Sequence, residues 1–406
     1  MTNFKVGFGK APIKFTSADF PIREFAAQLD ELACRVMLVR GTSDYALVSF
    51  DLTSLRPTAL QRYRQLVADL TGIAIGNVWI TVTHTFAAPH LPSTTETTAK
   101  QVAYQLIDQR LVVSLTVSCQ RAIADLQAVT VGRAEVNCPI NVNRNVKTPA
   151  GWWLGRNVTG ESNHQLRVLA FQRTDGTTNV VINYDLQPSV LDHMTNDAGE
   201  RVISADVVGA AVRAYEENRQ VAIFLPGAAG DQRPLFTAKP DQPFAVAKAL
   251  VNEQGAVITA GLHAAVAAIN NWLPVSRLRL YTQVVTVPTQ VQKHTTFELK
   301  PTHRYSFEAT GQTTTLHLMA VEFNHYLLVG TEPELNSHFG DQCREQLNDP
   351  QLQLATLVNG AAKYLPEPDD FERVTYQAMN TQLGRGASAQ MLTACRQLKQ
   401  QIEEDE

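Results

Sequence analysis

The sequence predicts an α/β fold: mixed β-sheets flanked by helices, organised as one domain over residues 1–406. Three observations point there. Short apolar runs of strand character alternate with helical patterns through most of the chain, which favours interleaved strands and helices over segregated ones. No repeat, low-complexity tract or long linker interrupts that alternation. A chain of 406 residues, 44% of them hydrophobic, also buries roughly 75% of the surface its unfolded form exposes, so it folds without disulfides or a structural metal.

The elements follow from period and length. Residues 4–9 read as a strand, as do 33–40 and 45–50, and 57–70 form an amphipathic helix. Residues 78–82 are a short buried strand that runs straight into the polar segment 83–89; such exits favour functional side chains. A long helix covers 99–126, followed by strands at 129–136, 166–171 and 179–184. Residues 222–225 are another buried strand, feeding a glycine-rich loop. Beyond a helix at 244–269, residues 277–287 alternate polar and apolar side chains as a half-buried strand does, and strands recur at 314–319 and 326–329. The chain closes on a helix at 387–401 and the acidic tail Glu403 to Glu406, expected to be frayed and solvated.

Charge narrows the function. Thirty-five basic against 39 acidic residues give a net charge of −4, which excludes a broad electrostatic footprint for nucleic acid or an acidic membrane. A small-molecule or lipid substrate is therefore the expected partner; the oligomeric state stays open. The five cysteines are scattered and form no C-x-x-C pair, the usage of reduced thiols in a cytoplasmic protein. The N-terminus MTNFKVGFGK has no apolar leader, and no run of 18 apolar residues occurs, so neither export nor a transmembrane segment is expected.

The common catalytic signatures are missing: no G-x-S-x-G elbow, no H-E-x-x-H, no Walker A loop. Gly7-Phe8-Gly9 lacks the third glycine of a dinucleotide fingerprint. What remains is a set of polar clusters at strand exits. THTFAAPH places His84 and His90 on a loop after a buried strand, where imidazoles can reach a metal or a carbonyl, or serve only structure. The strand ending at Tyr184 exits into Asp185, Gln187, Pro188, Asp192 and His193, a reactive set or a capped turn. LPGAAGDQRP presents Asp231 after small residues, on a binding loop or a tight turn. Glu332 and Glu334 follow the 326–329 strand, and the segment 359–366 brings Tyr364.

These segments together resemble the neutral/alkaline non-lysosomal ceramidase family, in its catalytic N-terminal domain, as a diverged bacterial-type member. KVGFGKAPI is similar to the family's opening Val-Gly-x-Gly-x-x-x-Ile strand, and Asp51 of VSFDLTSL occupies the aspartate that follows it. WITVTHTFAAP resembles Thr-His-Thr-His-Ser-Gly-Pro; INVNRN, with Arg144, resembles the Asn-Arg segment; VINYDLQPSVL with ISAD resembles Asn-Phe-Ala-x-His-Pro-Thr-x-Leu with Ser-Ala-Asp. PGAAGDQRP, LLVGTEPEL and NGAAKYLP resemble Asn-Ala-Gly-Asp-x-Ser-Pro, the Pro-Gly-Glu segment and Asn-x-Tyr-x-x-Tyr. The match runs in order along nearly the whole chain, with no room for the family's C-terminal immunoglobulin-like domain.

The resemblance implies a zinc ion held by two histidines, a glutamate and a tyrosine, activating water against the amide of an N-acyl sphingosine. By position, His84 is the first histidine ligand, Glu334 the glutamate and Tyr364 the second tyrosine of its motif. Asp231, Arg144 and Tyr364 are the expected catalytic residues. The departures are Gln187 at the second zinc histidine, Phe86 at the other histidine of His-Thr-His, Arg233 at the motif serine and Ala361 at the first tyrosine. A neutral amide is a poor zinc ligand; His90, Asp185 and His193 are the neighbours that could rebuild a metal site. Arg233 places a cation at the inferred pocket, or forms a salt bridge to Glu334, Glu332 or Asp231. The leading reading is a ceramidase-like amidohydrolase with a diverged zinc site. The alternative is a non-catalytic pocket that binds an anionic small molecule through Arg144 and Arg233. A hydrolase with a different nucleophile, such as Ser189, ranks third.

Overall fold

The computed structural model describes residues 4–89, 98–293 and 298–405. Lys5–Ile13, Leu32–Arg40, Tyr45–Phe50 and Val78–Val82 form one sheet in that order, antiparallel except for the last pair. A second sheet runs Ala222–Pro226, Thr178–Tyr184, Gln165–Gln172, Thr130–Asn137 and Leu273–Pro274, parallel only between the first two. A third runs Leu278–Gln290, Ala309–Phe323, Tyr326–Thr331 and Gln353–Ala355, parallel only at the last pair. These are the mixed sheets the sequence predicted.

Strand periodicity explains how the layers stack, because successive side chains point to opposite faces. Along Leu32–Arg40, Cys34, Val36 and Leu38 face a core with Ile107, Leu111 and Leu115 of helix Thr98–Ala124 and with Tyr63 of helix Pro57–Thr71. The intervening Met37 and Val39 join Phe8, Tyr45 and Trp79 against Phe171, Val181 and Ile223 of the second sheet. That sheet's other face, with Val180 and Ile182, packs on helices Asp206–Tyr215 and Phe244–Ala267 through Val207, Ala211, Val251 and Ile258. The order is helix, sheet, sheet, helix. Strands buried on both faces read as unbroken apolar runs, which is why VWITV and VVINY were legible. Full burial of each such side chain is worth roughly 1.5–3 kcal/mol.

Gly7 and Gly9 set the distance between the first strand and its helix. A Cβ on either would lie 2.1 Å from a helix carbonyl, that of Ala122 or Ser118. The pair is thus a packing device. Gly9→Ala must push the helix away, with an expected loss of about 1–3 kcal/mol in chemical denaturation.

Among the elements that escaped the sequence reading are the hairpin Asn141–Thr148 with Gly151–Asn157, and the helices Asp206–Tyr215 and Ser337–Gln346. The hairpin strand NVNRNVKT is polar where a buried strand would be apolar, so hydrophobic period does not report it. One boundary is corrected: the last helix runs Ala387–Glu404, taking in residues expected to fray. Contacts one turn apart, Lys399 to Glu403 at 3.7 Å and Gln400 to Glu404 at 2.9 Å, support its last turn. Among the described residues no helix is long and apolar enough to cross a membrane.

Candidate active site

Strand ends from all three sheets deliver the polar side chains. Val78–Val82 leads to His84, Thr178–Tyr184 to Gln187, Ala222–Pro226 to the loop of Asp231, and Tyr326–Thr331 to Glu334. Backbone bonds tie these exits together. Phe86 N–H donates to the Pro188 carbonyl at 3.0 Å, Gly230 N–H to Leu335 at 2.8 Å, and Glu334 N–H to Lys363 at 2.7 Å. Glu334 also pairs in parallel register with Tyr364. Arg144 enters from the polar hairpin, its backbone N–H held by the Asp231 carbonyl at 2.7 Å.

The five side chains form one buried chain of contacts. His84 Nε2 lies 3.3 Å from Glu334 Oε2. That oxygen accepts from Gln187 Nε2 at 2.9 Å, and Gln187 Oε1 accepts from Arg144 Nη1 at 3.0 Å. Arg144 Nη2 donates to the Gly230 carbonyl at 2.6 Å and to the Tyr364 hydroxyl at 3.0 Å. The guanidinium sits 5.7 Å from the Tyr364 ring centre and 5.8 Å from that of Tyr376, a favourable arrangement for a cation among aromatic rings. His84, Gln187, Arg144, Glu334 and Tyr364 are all buried.

Two atoms in this cluster lack hydrogen-bond partners: His84 Nε2 and Arg144 Nε. His84 Nδ1 is 2.6 Å from the Thr53 carbonyl. A carbonyl only accepts, so Nδ1 carries the proton and Nε2 of the neutral ring offers a lone pair. The Glu334 oxygen is near that nitrogen without being aligned to it. His84 holds its position with a left-handed backbone, φ 64°, and with the Phe86 ring edge-on at 5.0 Å.

The surroundings shift the charge balance of three of these groups. Burial pushes the Glu334 carboxyl up, but His84 and then Arg144 and Lys363 outweigh it and hold the group below the usual carboxylate range. Burial opposes the Arg144 charge, and Tyr364 and Glu334 restore it. Burial, with the Glu334 charge, pushes the Tyr364 phenol well above its ordinary value, so it stays a neutral donor.

Several expected site residues lie elsewhere. The Asp231 carboxylate accepts from Asn143 Nδ2 at 2.8 Å, Gln232 Nε2 at 2.9 Å and Ser337 N–H at 2.9 Å. It lines a polar cavity of about 690 Å³ with Trp152, Glu161, His338 and Glu367. Arg233 forms no salt bridge to Glu334, Glu332 or Asp231; its guanidinium donates to the Gly155 carbonyl and the Thr237 hydroxyl, at 3.0 and 2.9 Å. Asp185 is engaged by Ala228 N–H at 2.9 Å and lies 3.6 Å from Arg344. His193 is exposed beside Asp192. His90 lies outside the described residues. Ser189 donates to the Gln187 carbonyl at 3.3 Å. Tyr376 went unnoticed in the sequence, where no motif or period marks it.

Burial pushes Asp231 up to about 7 despite the three bonds it accepts. An acid raised in the fold contributes stability that is full below its unfolded value and is lost as pH rises through about 7. Melting temperature should therefore fall between pH 5 and 8 less steeply in Asp231→Asn than in the wild type; equal slopes would count against the raised value.

The donor set does not fit zinc. A catalytic zinc takes three protein ligands and an open position. Here His84 and Glu334 qualify. Gln187 turns an N–H toward Glu334, and its oxygen is taken by Arg144, which also occupies Tyr364. Among the described residues no group of three or more His, Cys, Asp or Glu side chains could hold a metal ion.

Back-to-back mixed sheets between helix layers, with polar side chains gathered at the strand exits, define a ceramidase-like fold. The solved structures that share it include neutral ceramidase from Pseudomonas aeruginosa, with a TM-score of 0.76 and 16% identity over 99% of this chain and 75% of that one. A structure described as ceramidase complexed with C2 superposes with a TM-score of 0.77 and 14% identity, over 100% of this chain and 76% of that one. No family model matches the sequence, and a comparison with curated proteins finds no match.

Proposed function

We propose that this chain is an amidohydrolase that cleaves an N-acyl amide at the His84–Glu334–Gln187–Arg144–Tyr364 cluster. The observation that carries this reading is the pair of unpartnered buried atoms, His84 Nε2 and Arg144 Nε. Buried polar atoms without partners are costly and concentrate where a ligand or water completes them. One is a lone pair able to take a proton; the other is a cationic donor able to meet an oxyanion.

In the proposed reaction, His84 Nε2 accepts a proton from water while the water oxygen adds to the acyl carbon. Glu334, ionised, stabilises the imidazolium. Arg144 Nε donates to the oxygen that becomes negative, the electrostatic contribution that dominates many acyl transfers. The carbon–nitrogen bond then breaks as the imidazolium returns its proton to the leaving amine, giving a carboxylic acid and a free amine. No step passes through a metal. The fold shared with ceramidases supports an N-acyl substrate, with an amine smaller or different from sphingosine. The anion-binding alternative is disfavoured, since the Arg144 Nη1 and Nη2 groups and the Arg233 guanidinium already bind protein oxygens. A cytoplasmic site of action agrees with five buried, free cysteines.

The test is amine release from a panel of short-chain ceramide, N-acyl ethanolamines and N-acetylated amino sugars. The wild type should turn over at least one, with His84→Ala reduced about 10²- to 10⁴-fold. A folded wild type inactive on all, or a variant equal to it, would sink the proposal.

A further inference from the structure

We infer that the Arg144 guanidinium and the Gln187 amide occupy the electrostatic place of a metal ion, so that this centre excludes divalent cations, and that one residue, Gln187, decides it. Three observations combine. The Gln187 amide is oriented by both neighbours: its N–H₂ end meets the Glu334 carboxylate at 2.9 Å and its oxygen meets Arg144 at 3.0 Å. The reverse orientation would set its oxygen against a carboxylate and its donors against a guanidinium, so the only oxygen the amide could offer a cation is held facing a guanidinium.

The charges also balance without a metal. Glu334 and Arg144 are both nearly inaccessible to water, at 6% and 8% exposure, and together they are neutral. A dication placed beside them would add two positive charges with no further carboxylate in the cluster to meet them. Buried charge without a counter-charge is strongly unfavourable. Finally, Arg144 Nη2 is anchored on the Gly230 carbonyl and the Tyr364 hydroxyl, at 2.6 and 3.0 Å. The guanidinium is thus fixed in the site and cannot swing out to admit an ion without giving up its bonds to the Gln187 oxygen, the Gly230 carbonyl and the Tyr364 hydroxyl.

An imidazole at position 187 removes the acceptor that holds Nη1 and supplies a ring nitrogen, a better zinc ligand than an amide oxygen. His84, Glu334 and the new histidine would then make three ligands, the minimum for catalytic zinc. The inference concerns occupancy and stands whether or not amide hydrolysis is the reaction.

The experiment is equilibrium dialysis of the untagged full chain against zinc chloride, with elemental analysis, for the wild type, His84→Ala, Gln187→His and the double variant Gln187→His/His84→Ala. The expected result is equal, substoichiometric zinc in the wild type and His84→Ala, and about one equivalent in Gln187→His, bound at least 100-fold more tightly and lost in the double variant. Cobalt substitution of Gln187→His should give the visible absorption of a four-coordinate site. One equivalent of zinc in the wild type that disappears in His84→Ala overturns the inference, and this arm needs no new fold. A folded Gln187→His that gains no zinc overturns the assignment of exclusion to Gln187. If Gln187→His does not fold, the near-isosteric Gln187→Glu takes its place: its carboxylate supplies a third, anionic ligand, and unchanged zinc exclusion there would equally overturn that assignment.

Discussion

Arg35→Met is expected to destabilise the protein by about 3–5 kcal/mol at pH 7, the largest single effect outside the candidate site. Arg35 lies in the Leu32–Arg40 strand at 4% side-chain exposure, between Asp51 and Glu216 at 2% each. Its guanidinium reaches Asp51 at 3.0 Å and grips Glu216 with two bonds, at 2.8 and 3.2 Å. Lys10 adds one partial counter-charge to Glu216 at 3.0 Å. Methionine fills much of the same volume but leaves two carboxylates in a dry interior. Burial pushes Glu216 up, yet Arg35 outweighs it and holds the carboxyl below its usual value. Such a group stabilises the fold above the unfolded pKa and loses that contribution as pH falls through the lower folded value. The cost of the substitution should therefore shrink toward pH 4, where the released carboxylates can protonate. Urea denaturation at pH 7 and pH 4 reads both; a cost independent of pH would contradict the electrostatic account.

Arg144→Met is expected to lower kcat/KM on the amide substrate by at least about 10²-fold, the loss typical of one removed oxyanion donor. It also deprives the Gln187 oxygen, the Gly230 carbonyl and the Tyr364 hydroxyl of their shared donor. Arg144→Lys separates the two roles. It retains a positive charge but cannot reach three acceptors with a fixed planar fork, so it should recover part of the stability and little of the rate. Unchanged kinetics in Arg144→Met, with the fold intact, would remove Arg144 from the reaction.

Most of the scaffold was legible because both sheets of the central pair are covered on both faces. Tyr45–Phe50 and Val78–Val82 fall where their apolar runs begin and end. The hairpin that carries Arg144 was invisible to the same reasoning, since its side chains meet a polar cavity and a charged cluster. The site was half legible. His84, Gln187, Glu334 and Tyr364, which the resemblance singled out, lie in one cluster with Arg144. Asp231 stands in the same loop as Gly230 but turns its carboxylate to the cavity, and Arg233, two residues on, ends on the Gly155 carbonyl. Side-chain direction in a glycine-rich loop has no sequence period. Nor can a motif reveal that a glutamine in a histidine's place is clasped between a carboxylate and a guanidinium.

The cluster draws His84, Gln187 and Glu334 from three separate sheets. No strand holds two of them, so their spacing is a gauge of how the sheets lie against one another. A slip of a few tenths of an ångström at the Phe8–Phe171 contact, where the ring centres are 5.6 Å apart, would be transmitted to the spacing of His84 and Gln187. The proposed amide turnover should then fade before the melt begins on heating, as the sheets lose alignment while each still keeps its own hydrogen bonds. Such a protein is disarmed by loosening well before it is undone by unfolding.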